Sequence, residues 1–170
     1  WDVDGLTGEA PVWGRFWEHP ALNTAEVALM QRARSRVREE LIAFGCADDK
    51  YGLIHSDILP ENVLVQGERL RVIDFDDAGF GWHLYDIATT LAEYRGDGKA
   101  TLKREALVEG YRSSRELPDT HLAKLDLFCL ARGLATLGWL STRAETENAR
   151  SAGREAIENI CELAENYLSH

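Results

Sequence analysis

The stretch YGLIHSDILPENVLVQGERLRVIDFDD, residues 51–77, decides the fold. Tyr51–Ile54 is a short apolar run that reads as a strand. Val63–Val65 and Leu70–Ile73 are two more, rich in β-branched residues, and Gln66, Gly67 and Glu68 between them predict a hairpin. The loop from the first strand to the hairpin carries His55, Asp57 and Asn62 in the spacing H-x-D-x-x-x-x-N. Asp74 stands where the hairpin runs out, and Asp76 and Asp77 follow in a tight polar segment that ends at Gly79. A short hairpin brings its two ends together. The pattern therefore converges Asp57, the Asn62 carboxamide and Asp74 on one small volume.

That donor set has a chemistry. A hard cation such as Mg²⁺ takes oxygen ligands and needs only one or two carboxylates from the protein. Asp74 and the side-chain oxygen of Asn62 can supply two such ligands. Asp57 is then left to orient a substrate hydroxyl and accept its proton. This is the division of labour in phosphoryl transfer, where positioning and charge neutralisation dominate.

Outward from this stretch the chain reads as helical. Asn23 with Glu26 three residues on is a capping-box variant, Val27, Met30, Val37 and Leu41 recur near helical spacing, and Gly45 supplies a stop. A helix over 24–44 follows. Residues 1–22, with Trp1, Trp13, Phe16 and Trp17, read as an irregular arm or short helix packing on the body. Beyond Trp82, Leu84, Ile87, Ala88 and Leu91 line one helix; Leu102, Ala106, Leu107 and Tyr111 line another. Pro118-Asp119 opens a long third with Leu122 to Leu137, and Ile157, Ile160, Leu163 and Leu168 line the last. The expected class is α+β and mostly helical, with a small hairpin in a helical body. The expected organisation is an arm over 1–22 and one lobe over 23–170.

Composition agrees with an ordinary globular chain: 170 residues, 45% hydrophobic and 28% charged. The net charge of −10 argues against a nucleic-acid partner, which calls for a basic stripe. Between Gly45 and Asp97 stand 11 acids and four bases, so most of the surplus surrounds the chemistry-bearing stretch. No apolar run approaches the roughly 18 residues of a membrane span, and no signal peptide is visible. Cys46, Cys129 and Cys161 are odd in number and widely spaced, which fits neither a disulfide framework nor a zinc cluster and points to the cytoplasm.

His55–Asn62, Ile73–Gly79 and Tyr85-Asp86-Ile87-Ala88, in that order, resemble the catalytic loop, the metal loop and the third marker of the aminoglycoside phosphotransferase and choline kinase family. That family belongs to the protein-kinase-like superfamily, and Phe75–Trp82 with Leu84-Tyr85-Asp86 most resembles its bacterial stress-response-kinase-like and homoserine-kinase-like branch. The resemblance is specific over residues 51–94 and general beyond. It implies Asp57 as catalytic base, Asn62 and Asp74 as holders of Mg²⁺ with ATP as co-substrate, and the C-terminal lobe of a kinase-like fold. It implies Asp86 as an acid fastening the catalytic loop, and His55 as a packing residue of that loop. Asp76 and Asp77 stay open between a second metal or substrate contact and a cap on a helix starting near Trp82. Ser56 stands where the family commonly has Gly or Ala and reads as a tolerated variant.

The implied activity is phosphoryl transfer from ATP to a hydroxyl of a small molecule: an amino-alcohol, homoserine-like or aminoglycoside-like acceptor. Trp82, Tyr111, Trp139 and the acids near Asp86 and Glu93 are candidate acceptor contacts, with a core role the competing reading for Tyr111 and Trp139. Other readings are a kinase-like scaffold without catalysis and a stress-response type of protein Ser/Thr kinase. A haloacid-dehalogenase-like phosphatase is a remote one, suggested by Asp74-Phe75-Asp76 but requiring a parallel sheet. Sequence neighbours His55, Ser56 and Asp57 do not make a hydrolytic triad, whose members converge from separate positions. No glycine-rich loop precedes His55, and the only lysine there, Lys50, abuts the catalytic strand. With Trp1 opening the chain and Met30 its only methionine, the expectation is a C-terminal lobe whose N-terminal ATP lobe is absent from these residues.

Overall fold

The computed structural model describes residues 1–143 and 147–170, with side chains undescribed over 147–152. The described elements are α1 (Val3–Thr7), α2 (Thr24–Phe44), β1 (Tyr51–Ile54), β2 (Val63–Gln66), β3 (Arg69–Val72), β4 (Gly79–Trp82), α3 (His83–Ala92), α4 (Ala100–Arg112), α5 (Asp119–Leu122), α6 (Leu125–Thr142) and α7 (Glu147–Leu168). Single 3₁₀ turns stand at Phe16–Glu18 and Pro60–Asn62. The chain divides into two compact units, one of Trp1–Gly45 with Leu130–His170 and one of Cys46–Cys129.

In the first unit, α2 is the organising helix. Its start is fixed by a reciprocal cap: the Asn23 side chain accepts from the amides of Ala25 and Glu26, while Glu26 Oε2 accepts from the Asn23 amide at 2.8 Å. Gly45 ends it at φ 72°, a conformation only glycine adopts freely. The buried stripe Leu29, Met30, Ala33, Val37 and Leu41 has helical period. Helices α1 and α7 and the turn carrying buried Phe16 and Trp17 pack on α2. Arg154 of α7 reaches Glu26 at 2.6 Å. Gly138 of α6 admits the Trp13-Gly14 loop, since a Cβ there would lie 2.6 Å from the Gly14 carbonyl oxygen.

The second unit contains two antiparallel ribbons. In β2–β3, Val63 faces Val72 and Gln66 faces Arg69, leaving Gly67-Glu68 as a two-residue turn with Gly67 at φ 60°. The expected three-residue loop is thus shortened by one. In β1–β4, Tyr51 faces Trp82 and Ile54 faces Gly79. Strand β4 has no counterpart in the sequence reading, because its GFGW run is half glycine and has little strand propensity of its own. It is specified by its partner: Gly52 faces Gly81, and a Cβ at Gly52 would meet His83 Nε2 at 2.9 Å. Trp82, 1% exposed, packs its ring 5.3 Å from Tyr51 and 5.8 Å from Phe128.

The helices of this unit follow the apolar spacing with two corrections. The long helix expected from Pro118 is broken into α5 and α6 around Ala123-Lys124, where the Lys124 amide bonds to the His121 carbonyl instead of continuing the α-helical ladder. In α4 the buried position is Val108, and Leu102 is exposed. Among the described residues no helix is long and apolar enough to cross a membrane. Cys46, Cys129 and Cys161 are all unpaired, and burial pushes the Cys129 thiol up to about 11.

The cap on α2 is testable. Asn23→Ala removes an acceptor shared by two amides and should lower the unfolding free energy by about 1 kcal/mol, read from denaturant titration with an unchanged slope.

Candidate active site

The loop after β1 is held by one face of α3. Asp86, in the first turn of α3, accepts from the His55 amide through Oδ2 at 2.9 Å and from the Ser56 amide through Oδ1 at 2.7 Å. Thr89 and Thr90 lie three and four residues on, over the same helix face. Thr89 Oγ1 donates to the Ser56 carbonyl at 3.2 Å, and Thr90 Oγ1 donates to the Ile58 carbonyl at 2.9 Å. Four backbone groups of His55–Ile58 are thereby tied to one helix. Thr89 and Thr90 are absent from the sequence reading. Their signal was a pair of hydroxyls one turn beyond Asp86 in an otherwise apolar stripe.

Asn62 closes the other end of the loop. It ends the Pro60–Asn62 turn, is buried, and points Nδ2 at the Asp57 carbonyl oxygen at 2.9 Å and at Asp57 Oδ2 at 3.4 Å. A carbonyl oxygen only accepts, so the amide is oriented with N–H toward Asp57 and Oδ1 turned away from it. The Asn62 carbonyl accepts from the Ile73 amide at 3.0 Å, one step beyond the Val63–Val72 pair. Asn62 and Asp74 are therefore anchored at the same end of the hairpin. Asp57 is half-buried and Asp74 is exposed.

His55 ties the loop to the hairpin. Its Nε2 lies 2.9 Å from the Ile73 carbonyl oxygen, which places the ring proton on Nε2. Its Nδ1 is buried without a hydrogen-bond partner, and its ring packs against Phe75 at 4.7 Å. Ser56 is fully buried, with Oγ 2.7 Å from the carbonyl oxygens of His55 and Asp77. No triad is formed.

Asp76 and Asp77 precede β4, and α3 is capped at Trp82 with no side-chain bond. The helix-cap reading of these two acids therefore falls. Asp76 is exposed in the turn closed by the Ala78 amide and the Phe75 carbonyl at 3.0 Å. Trp82 is core. Both described sheets are two-stranded and antiparallel, so the parallel sheet required by the phosphatase reading is missing among the described residues.

The chemistry of the donor set is all oxygen. Among the described residues no group of three or more His, Cys, Asp or Glu side chains is placed to hold a metal ion. Asp74 and Asn62 each bring a side-chain oxygen to the same end of the hairpin.

A family model described as a phosphotransferase enzyme family matches residues 5–128. A homoserine kinase of Rhizobium johnstonii is 30% identical over 165 residues, covering 89% of this chain and 49% of its own. The solved structure of a microcompartment-associated aminopropanol kinase superposes with a TM-score of 0.90 at 36% identity, covering 99% of this chain and 53% of its own. An amicoumacin kinase solved with AMP-PNP, Ca²⁺ and Ami shares the fold, with a TM-score of 0.66 at 21% identity over 83% of this chain. The chain spans about half the length of the curated relatives it matches.

Asp86→Asn offers one acceptor oxygen where two amides need one each, and sets an NH₂ against a backbone N–H. It should lower unfolding stability by about 2 kcal/mol, measured by denaturant titration. A loss under about 0.5 kcal/mol, the scale of a neutral surface change, would remove Asp86 from this anchoring role.

Proposed function

The chain belongs to the phosphotransferase enzyme family, and on that footing we propose that its site carries a phosphoryl group from ATP, with a divalent cation, to a hydroxyl of a small molecule. The observation that carries the reading is the double anchoring of Asn62. Its side chain holds Asp57 and its backbone holds Ile73, so a base and two oxygen ligands share one hairpin end. In this reading Asp57 accepts the proton of the acceptor hydroxyl as that hydroxyl's oxygen bonds to the γ-phosphorus of ATP and the bond from phosphorus to the departing ADP breaks. The Asn62 N–H limits the orientations open to that carboxylate. Asp74 and Asn62 Oδ1 hold the cation, Mg²⁺ in our assignment, and Asp76 is the candidate for a further ligand. The cation, when bound, supplies neutralisation of phosphate charge. His55 and Asp86 support the loop rather than react.

The acceptor we infer is a small amino-alcohol. Homoserine and aminopropanol, named for two of the relatives, each pair a hydroxyl with an ammonium group. The acid surplus around the loop complements that ammonium. The grip on the ATP phosphates belongs, in this reading, to a nucleotide lobe outside these residues, since the glycine-rich loop and paired lysine are absent ahead of His55. The unpaired cysteines suit a cytoplasmic setting.

The test is a panel of amino-alcohols, aminoglycosides and a Ser/Thr peptide, offered with ATP and Mg²⁺ to the intact polypeptide. Turnover is expected to be greatest for an amino-alcohol, and negligible for residues 1–170 alone. Phosphorylation of none of them would overturn the reading. Asp57→Asn conserves volume and removes the base, and should lower kcat by about 10²–10⁴-fold with little change in Tm. Asp74→Ala should raise several-fold the divalent-ion concentration that gives half-maximal rate.

A further inference from the structure

Asp74 holds a left-handed backbone, φ 63°, which a non-glycine residue keeps only when its surroundings impose it. The chain before it is fixed twice, by the Asn62 carbonyl on the Ile73 amide and by His55 Nε2 on the Ile73 carbonyl. The chain after it folds into the Phe75–Ala78 turn, packed by Phe75 against His55. One hydrogen bond joining that turn to the catalytic loop comes from Ser56 Oγ, 2.7 Å from the Asp77 carbonyl oxygen. Two consecutive residues of the catalytic loop thus hold the two flanks of Asp74.

Ser56 is itself left-handed, at φ 64°, where glycine is the natural occupant. A mere space-filler would gain by being glycine. Every backbone polar atom of Ser56 is already engaged, its N–H with Asp86 and its carbonyl with Thr89. The hydroxyl is what glycine lacks, and its one proton is shared between the carbonyls of His55 and Asp77. We propose that Ser56 is a positioning residue: its hydroxyl braces the turn after Asp74 and thereby sets the orientation of the Asp74 carboxylate toward a divalent cation. This rests on the phosphotransferase reading for the cation, and on geometry alone for the brace.

The two properties of the residue separate in two variants. Ser56→Gly relieves the backbone and removes the brace; Ser56→Ala removes the brace and keeps the backbone conformation unfavourable. In the intact polypeptide, metal-free hydrogen exchange of the segment 74–79 should quicken about tenfold in both, the scale of one lost hydrogen bond. Exchange in β2 and β3 should stay unchanged. Tm should hold or rise for Ser56→Gly and fall for Ser56→Ala. Half-maximal rate should require several-fold more Mg²⁺ in both, with the KM for the acceptor unmoved. For a residue with only a structural role the metal response would follow Tm, so Ser56→Gly would leave the Mg²⁺ requirement unchanged. Wild-type exchange over 74–79 in both variants, or an unchanged Mg²⁺ requirement in an active enzyme, overturns the proposal. If the wild type phosphorylates no hydroxyl acceptor, the functional reading fails, and the exchange measurement alone decides the brace.

Discussion

The carboxylate of Asp86 governs the site. One oxygen takes the amide of His55 and the other the amide of Ser56, so a single side chain fixes two consecutive peptide planes. Hydrogen bonds to a charged acceptor are among the stronger ones in proteins. From that grip the geometry spreads. His55 is set to reach the Ile73 carbonyl, Ser56 is held left-handed with its hydroxyl at Asp77, and Asp57 emerges at the next position. Asp57 is thus positioned by α3, although its own neighbours are loop residues.

Around that grip the unit uses two short ribbons as levers. The β1–β4 pair delivers both His55 and the approach to α3, since β1 runs into the loop and β4 runs into the helix that holds it. The β2–β3 hairpin does the same for Asn62 and Asp74, at its entrance and exit. Neither ribbon is long, and neither would persist alone in water. Their role is to close two loops so that residues separated along the chain share one end. The buried Trp82 and Phe128 support the first ribbon, while Leu53 and Phe80 on it are exposed.

The unfavourable backbone conformations of the site are local. The only non-glycine residues with positive φ among the described ones are Ser56 and Asp74. They are linked through their neighbours, Ser56 to Asp77 and His55 to Ile73. Backbone held in such conformations is a mark of functional loops when the surroundings over-determine it. Here that over-determination consists of named hydrogen bonds.

What the sequence by itself determined was local. The Asn23–Glu26 box and Gly45 fixed both ends of α2, because caps are made by residues within one turn of the helix end. The apolar run Tyr51–Ile54 fixed β1, and the turn at Gly67 fixed the hairpin to within one residue. The order His55, Asp57, Asn62, Asp74 around a short hairpin predicted that Asn62 and Asp74 would stand at one hairpin end. Tertiary structure decided the rest. Strand β4 exists because β1 pairs with it, not because its glycines favour extension. Trp82 is core because Phe128, far along the chain, packs on it. Thr89 and Thr90 became loop anchors, and the Ser56 hydroxyl a bridge to Asp77, only once the fold brought distant carbonyls within 3.2 Å. Hydrogen bonds across about 20 to 35 residues leave no periodicity in the sequence, since each depends on where two separately folded segments come to rest.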